Sequence, residues 1–176
     1  HLYTRNETTL SHVSELYRFK HLHQSLESMI NTGIKAAFVH APTPSHYAIV
    51  EQLLSHNIHV YVDKPITYDY ESSEKLVKLA EKKKLILMVG FNRRYAPAYQ
   101  KLKELKDPNM IIMQKNRKSL PGDVRNFIFD DFIHVIDTLL FLFPYPLEKL
   151  IVTGKKKDNL LYHVVAQFIT AGGATA

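Results

Sequence analysis

A lysine set between a short apolar run and a proline, in Tyr61-Val62-Asp63-Lys64-Pro65, is the feature of this chain best placed to do chemistry. The run ahead of it has the make-up of a buried strand, so Lys64 falls at the strand's carboxyl end. In open α/β sheets, ligands lie outside those ends. A lysine there can donate to a substrate hydroxyl and stabilise the alkoxide that develops. With its pKa lowered by partial burial, it can also exchange the proton. Pro65 forces an extended approach and can introduce a cis bond that fixes the lysine's direction. The plain alternative is a surface lysine that caps a strand.

A second constellation is Asp130, His134 and Asp137. Spacings of four and three put the three side chains on one face of a helix that is otherwise largely apolar. Ionisable groups along such a stripe are costly unless they serve a site or pair among themselves. A histidine with a carboxylate one turn away is a sound general acid/base unit, because the carboxylate orients the ring and raises its basicity. The alternative is a salt bridge on the helix surface. A metal site fits less well, since nothing else in the chain offers a ligand at recognisable spacing. No metal ligand is assigned.

Two further stretches aim polar groups at the same kind of edge. In Ala41-Pro42-Thr43-Pro44-Ser45-His46, Thr43 or Ser45 can cap the next helix, Pro44 suits its first turn, and backbone N–H groups can face a cofactor. Gly90-Phe91-Asn92-Arg93-Arg94 stands at the end of another apolar strand, where Arg93 or Arg94 could clamp an anionic group or be solvated.

The elements that must position these residues alternate through the first half. Leu2 to Thr4 reads as the end of a strand, followed by a helix from Glu7 to Phe19 with Asn6 as its cap. A short helix spans Ser25 to Ile30, and Ala36 to His40 reads as a buried strand. Helix Ser45 to Ser55, strand Ile58 to Val62, helix Glu71 to Lys83 and strand Leu85 to Val89 follow. Strands without clear alternation, separated by amphipathic helices, argue for a doubly wound parallel sheet covered on both faces.

After Gly90 the rhythm changes. A helix from Pro97 to Leu105, a strand from Met110 to Gln114 and a basic loop containing Pro121-Gly122 precede a continuous helix from Phe127 to Phe143. Strands Leu147 to Val152 and Leu160 to Ile169 follow, joined by a turn at Gly154 to Asn159. The expectation is a dinucleotide-type domain over residues 1–92 and an α+β domain with an open, mostly antiparallel sheet over 93–176. The chain opens on a strand and stops just after one, which points to part of a longer protein or a partner completing the sheet.

The 176 residues carry 45% hydrophobic and 23% charged side chains, an ordinary globular composition. Cysteine is absent, which removes disulfides, thiolate metal sites and a cysteine nucleophile, and suits a reducing cytoplasm. No apolar run approaches the roughly 20 residues of a membrane span. The net charge of +6 comes largely from Lys82-Lys83-Lys84 and Lys155-Lys156-Lys157, at a helix end and in a hairpin turn. Aromatic residues do not interleave with these lysines, so nucleic acid is not the expected partner.

Taken together, the motifs resemble the glucose-fructose oxidoreductase / inositol dehydrogenase / rhizopine catabolism (Gfo/Idh/MocA) family. Its Glu-Lys-Pro hallmark is matched by Asp63-Lys64-Pro65, and its Thr-Pro-x-x-His-like turn by Thr43-Pro44-Ser45-His46. Gly90 to Tyr95 and the Asp130, His134, Asp137 helix match in order, so that the likeness runs from Leu2 to about Ile169. Within the family, Leu120 to Arg125 and Phe129 to His134 are similar to the MviM-like oxidoreductases.

The resemblance implies a Rossmann domain that binds NAD or NADP, then a domain that shapes the substrate site and forms a homo-oligomer interface. It implies hydride transfer to or from a sugar- or polyol-like substrate, with Lys64 and His134 handling the proton and Asp130 positioning substrate and histidine. Thr43, Pro44 and His46 would lie along the cofactor with Asn92, and Arg93, Arg94 and Asp137 toward the substrate.

The family's first strand and its G-x-G-x-x-G loop have no counterpart: Gly33, Gly90, Gly122, Gly154, Gly172 and Gly173 never take that spacing. The expectation is that these residues are part of a longer chain. At the end of the first strand, Thr4 and Arg5 stand where many relatives carry an acidic residue. A hydroxyl and an arginine suit a 2′-phosphate, so NADP is favoured over NAD. An NAD(P)-binding regulatory protein without catalysis is the alternative, against which Lys64, Asp130 and His134 together argue.

Overall fold

The computed structural model describes residues 1–118 and 121–176; Leu120, which opens the Leu120 to Arg125 stretch, lies outside the described residues. Two compact units make up the chain, residues 1–90 and 91–176.

In the first unit, β1 (Leu2–Tyr3) runs parallel to β2 (Leu22–His23). Between them lies helix α1 (Glu7–Tyr17), started by Asn6, whose side chain accepts the Thr9 N–H at 2.8 Å. Ser25 caps α2 (Leu26–Ile30) in the same way. A second parallel sheet has the order β3 (Ala36–Val39), β4 (His59–Asp63), β5 (Leu87–Gly90). Helix α3 (His46–Ser55) connects β3 to β4, and α4 (Tyr70–Lys83) connects β4 to β5. This is the Rossmann-type α/β pattern the alternation predicts.

The core forms where α3 and α4 lie on the sheet: Val50, Leu53, Leu54, Leu76 and Ala80 pack with Ala37, Val39, Val60 and Val62. Burial alternates along β3 and β4, contrary to the expectation of strands buried on both faces. Phe38 is 74% exposed and touches Tyr61 with ring centroids 5.1 Å apart. The reason is positional. Both crossover helices α3 and α4 pack on the side that carries Val60 and Val62, and alternation sends Phe38 and Tyr61 to the other. The lysines ending α4 are partly structural: Lys83 Nζ donates to the Ser55 carbonyl at 2.7 Å, at the end of α3.

In the second unit, a 3-10 turn (Asn92–Tyr95) leads into α5 (Pro97–Lys103). The strand expected over Met110 to Gln114 is an extended segment with one isolated bridge, Met110 to Thr175. A short β6 (Gly122–Asp123), absent from the sequence expectation, precedes the single turn α6 (Val124–Asn126). The helix expected to be continuous from Phe127 to Phe143 begins instead as a π-helical turn (Phe127–Phe132), where the Ile133 N–H reaches back to the Ile128 carbonyl. It turns regular only in α7 (Ile133–Leu142).

The sheet has the order β6, β8 (Leu160–Thr170), β7 (Leu147–Lys157), all antiparallel. The hairpin turn is shorter than expected: Lys155 to Lys157 belong to β7, and only Asp158 and Asn159 turn the chain. Both have positive φ, 50° and 63°, the arrangement of a two-residue turn whose twist matches its strands. Val135 and Leu139 of α7 pack with Phe168 of β8 as the core of this unit.

Candidate functional site

Parallel pairing fixes where the first unit presents its polar groups. Val39 pairs with Val62, and Asp63 with Gly90, so β3, β4 and β5 all exit at one edge. Lys64 leaves β4 at that edge. The Asp63 carboxylate accepts the Lys64 N–H at 2.9 Å, and the Lys64–Pro65 peptide is cis. Further along, Thr67 is buried and its hydroxyl donates to the Asp69 carbonyl at 2.7 Å, while Asp69 caps α4 through the Ser72 N–H. The segment carrying Lys64 is therefore tied down on both sides. Gly90 faces it across the pairing, and a Cβ there would fall 2.5 Å from the Tyr61 hydroxyl, so a glycine lets that ring lie over the strand end.

After β3, a 3-10 turn (Thr43–Ser45) enters α3, with Thr43 half-buried and Pro44 exposed. His46 differs from the sequence expectation of a ring lying along a cofactor. It is 1% exposed, and its ring nitrogens stand 2.8 Å from the Pro65 and Ala41 carbonyls. Its polar atoms are occupied inside the protein. At the end of β1, Thr4 is half-buried with its hydroxyl 3.5 Å from the Asn6 N–H, and Arg5 is exposed.

In the second unit, Asp130 lies in the π-helical turn and His134 is the second residue of α7. The Thr138 hydroxyl donates to the His134 carbonyl at 2.6 Å, which holds the backbone without using the imidazole. Asp137, one turn on, is 6% exposed and is gripped by Arg94, whose Nε stands 3.0 Å from both carboxylate oxygens and whose Nη2 reaches Oδ1. The Asp137 hydrogen bonds hold the Arg94 guanidinium pKa above its ordinary value. Phe91 and Phe141 flank that guanidinium, with ring centroids 5.7 and 5.8 Å away. The two charges are thus spent on each other, a different use from the substrate contacts expected of them. Asn92 is exposed and Arg93 half-buried in the adjoining 3-10 turn.

Sequence reasoning passed over Asp131. Arg117 Nε donates to its Oδ2 at 2.9 Å, Arg117 Nη2 and Lys115 Nζ both reach Oδ1, and Lys115 also meets its carbonyl. The hydrogen bond from Arg117, then that from Lys115, holds the carboxyl well below the usual carboxylate range, against the opposing pull of burial. The available signal was the basic segment with Lys115 and Arg117 that precedes the paired acids Asp130-Asp131 in the chain.

This anchor has a testable sign. A depressed folded-state pKa contributes stability that is complete above the unfolded value of about 3.9 and is lost as pH falls toward the folded value. Asp131→Asn is expected to lower Tm at pH 7 by several degrees. The gap should narrow steadily as pH falls from about 5 to 3. Thermal melts that give one constant gap from pH 7 to 3 would show that the ionised carboxylate is not the anchor.

A cavity of about 670 Å³ in this unit lies among Met113, Lys115, Val135, Leu139, Val165 and Gln167, and neither Asp130 nor His134 lines it. Among the described residues no three His, Asp or Glu side chains are grouped to hold a metal, and no helix is long and apolar enough to cross a membrane.

Residues 1–91 match the family model of an oxidoreductase family with an NAD-binding Rossmann fold. The oxidoreductase YceM of Salmonella typhimurium is 49% identical over 122 residues, 66% of this chain and 40% of that protein. The UDP-N-acetylglucosamine 3-dehydrogenase of Acidithiobacillus ferrooxidans is 30% identical over 115 residues, 62% of this chain and 36% of that protein. The crystal structure of a Gfo/Idh/MocA family oxidoreductase from Vibrio cholerae superposes with a TM-score of 0.87 at 32% identity, covering 98% of this chain and 58% of that one. The chain thus spans between about a third and three fifths of the length of these relatives. A parallel sheet with a lysine at its exit, followed by an antiparallel sheet under a helix that carries an acid and a histidine, agrees with these matches: the chain belongs to the Gfo/Idh/MocA family of NAD-binding Rossmann-fold oxidoreductases.

Proposed function

We propose that the full-length protein is an NAD(P)-dependent dehydrogenase or reductase acting on a sugar- or polyol-like hydroxyl or its carbonyl form. The observation that carries this reading is Lys64, held by Asp63 at the exit of the middle strand of a parallel sheet. Residues 1–92 bind the dinucleotide and 93–176 contribute to the substrate site. Thr43, Pro44 and Asn92 line the cofactor. Thr4 and Arg5 receive a 2′-phosphate, which favours NADP over NAD. The dinucleotide supplies the hydride acceptor or donor.

The residues of this chain handle the proton. Lys64 holds the substrate oxygen and, with His134, takes or returns the hydroxyl proton. Asp130 orients the imidazole, and Arg93 and Asp130 fix substrate hydroxyls. Arg94 and Asp137 act at one remove, by fixing the turn after Phe91 to α7. A sugar substrate agrees with the activity of the A. ferrooxidans relative. The exposed apolar residues Leu150 and Val152, which share one face of β7, support self-association through that sheet. The protein's place is the cytoplasm.

The test is a screen of sugars, polyols and their keto forms with both cofactors, using the full-length protein. At least one compound should change absorbance at the reduced-nicotinamide band, with a lower KM for NADP(H) than for NAD(H). Tight dinucleotide binding without any substrate-dependent change across the screen would identify a non-catalytic sensor.

A further inference from the structure

His46 stands apart from the roles above because it is a buried ring whose polar atoms both point inward. The two turns beside it are poor in donors: Pro42, Pro44 and Pro65 contribute no N–H. Carbonyls withdrawn from water need partners, and the imidazole stands against two of them. Its Nδ1 stands 2.8 Å from the Pro65 carbonyl and its Nε2 2.8 Å from the Ala41 carbonyl. A neutral ring donates to one of these at a time and an imidazolium to both.

Ala41 lies two residues past β3, and Pro65 two residues past β4. These strands are neighbours, with Val39 opposite Val62. One side chain, fixed at the first position of α3, therefore connects the exits of adjacent strands and holds the residue that directly follows Lys64.

From this geometry we infer that His46 is a positioning residue for Lys64: it sets the path of the Lys64–Pro65 segment from behind and does not touch the cofactor. The inference rests on the reading of Lys64 as the proton-handling group. A lysine whose backbone shifts by about 1 Å loses on the order of 10²-fold in rate without losing its charge.

The experiment is a double-mutant cycle in the full-length enzyme with its dinucleotide, on a substrate found by the screen. His46→Leu should lower kcat by about 10- to 100-fold, with the Kd for the reduced dinucleotide within about threefold of wild type. His46→Gln, which keeps an amide donor, should recover part of that loss. In the Lys64→Met background, His46→Leu should cost almost nothing further, because the group it aims is gone. Equal losses with and without Lys64 would make His46 a general packing residue and overturn the inference. So would a rise of more than tenfold in dinucleotide Kd at unchanged kcat, which would put the ring on the cofactor.

If both variants fail to fold, the wild-type protein still decides the matter through the ¹⁵N spectrum of its labelled histidines. A His46 ring N–H that exchanges slowly with water upholds the buried link, and one that exchanges as fast as exposed histidines overturns it. Failure of the wider reading looks different: Lys64→Met would itself turn over normally. Wild-type kcat in His46→Leu beside an inactive Lys64→Met would sink the positioning role alone.

Discussion

Lys64→Met is expected to lower kcat of the full-length enzyme by about 10²- to 10⁴-fold, the usual worth of a positioned proton-transfer group. Methionine keeps the length and apolar stem of lysine and removes the ammonium, so the change isolates the charge and its protons. Several contacts hold the backbone here without the lysine head group. Asp63 grips the Lys64 N–H, His46 stands against the Pro65 carbonyl, and Thr67 bonds to the Asp69 carbonyl. Dinucleotide affinity should therefore stay within about tenfold, and circular dichroism should be unchanged. A variant that turns over normally would remove Lys64 from the mechanism.

The second large effect is at His134. His134→Ala should cost about 10²- to 10⁴-fold in kcat for the same reason, with the helix intact. Thr138 bonds the His134 carbonyl, and the buried residues Val135, Leu139 and Leu142 keep α7 on its core. If Lys64 and His134 serve one proton route, the double variant should lose far less than the product of the two single losses. Independent, multiplying losses would separate them into different steps, and normal turnover in His134→Ala would leave the imidazole without a role.

Much of this architecture was legible in the residues. Asn6 announced the start of α1 because a cap is a local event, settled within four residues. Lys64 was legible because an apolar run ending in Lys-Pro determines where a strand stops. What escaped depends on distant residues. Ala36 to His40 reads as buried, yet Phe38 is exposed, since burial of a strand face is decided by what lies over it. The π-helical turn escaped because apolar spacing reports side-chain periodicity, and the bond from Ile133 back to Ile128 changes the period for one turn only. Asp137 looked like a substrate contact until Arg94, 43 residues earlier, was seen to grip it. The Lys155 to Lys157 run was expected in a turn, but Asp158 and Asn159 both tolerate a left-handed backbone and turn the chain without it.

The wide turn at Phe127–Phe132 also sets the aim of Asp130. Along a regular helix each residue advances by about 100°, so four steps overshoot one revolution by about 40°. A π turn advances less per residue, which brings the path from Asp130 to His134 closer to a whole revolution. Such winding places positions 130 and 134 more nearly in line along the axis than a regular helix would. Removing a single residue from that coil would restore ordinary winding and swing the acid out of line, although every side chain named in the site would still be present.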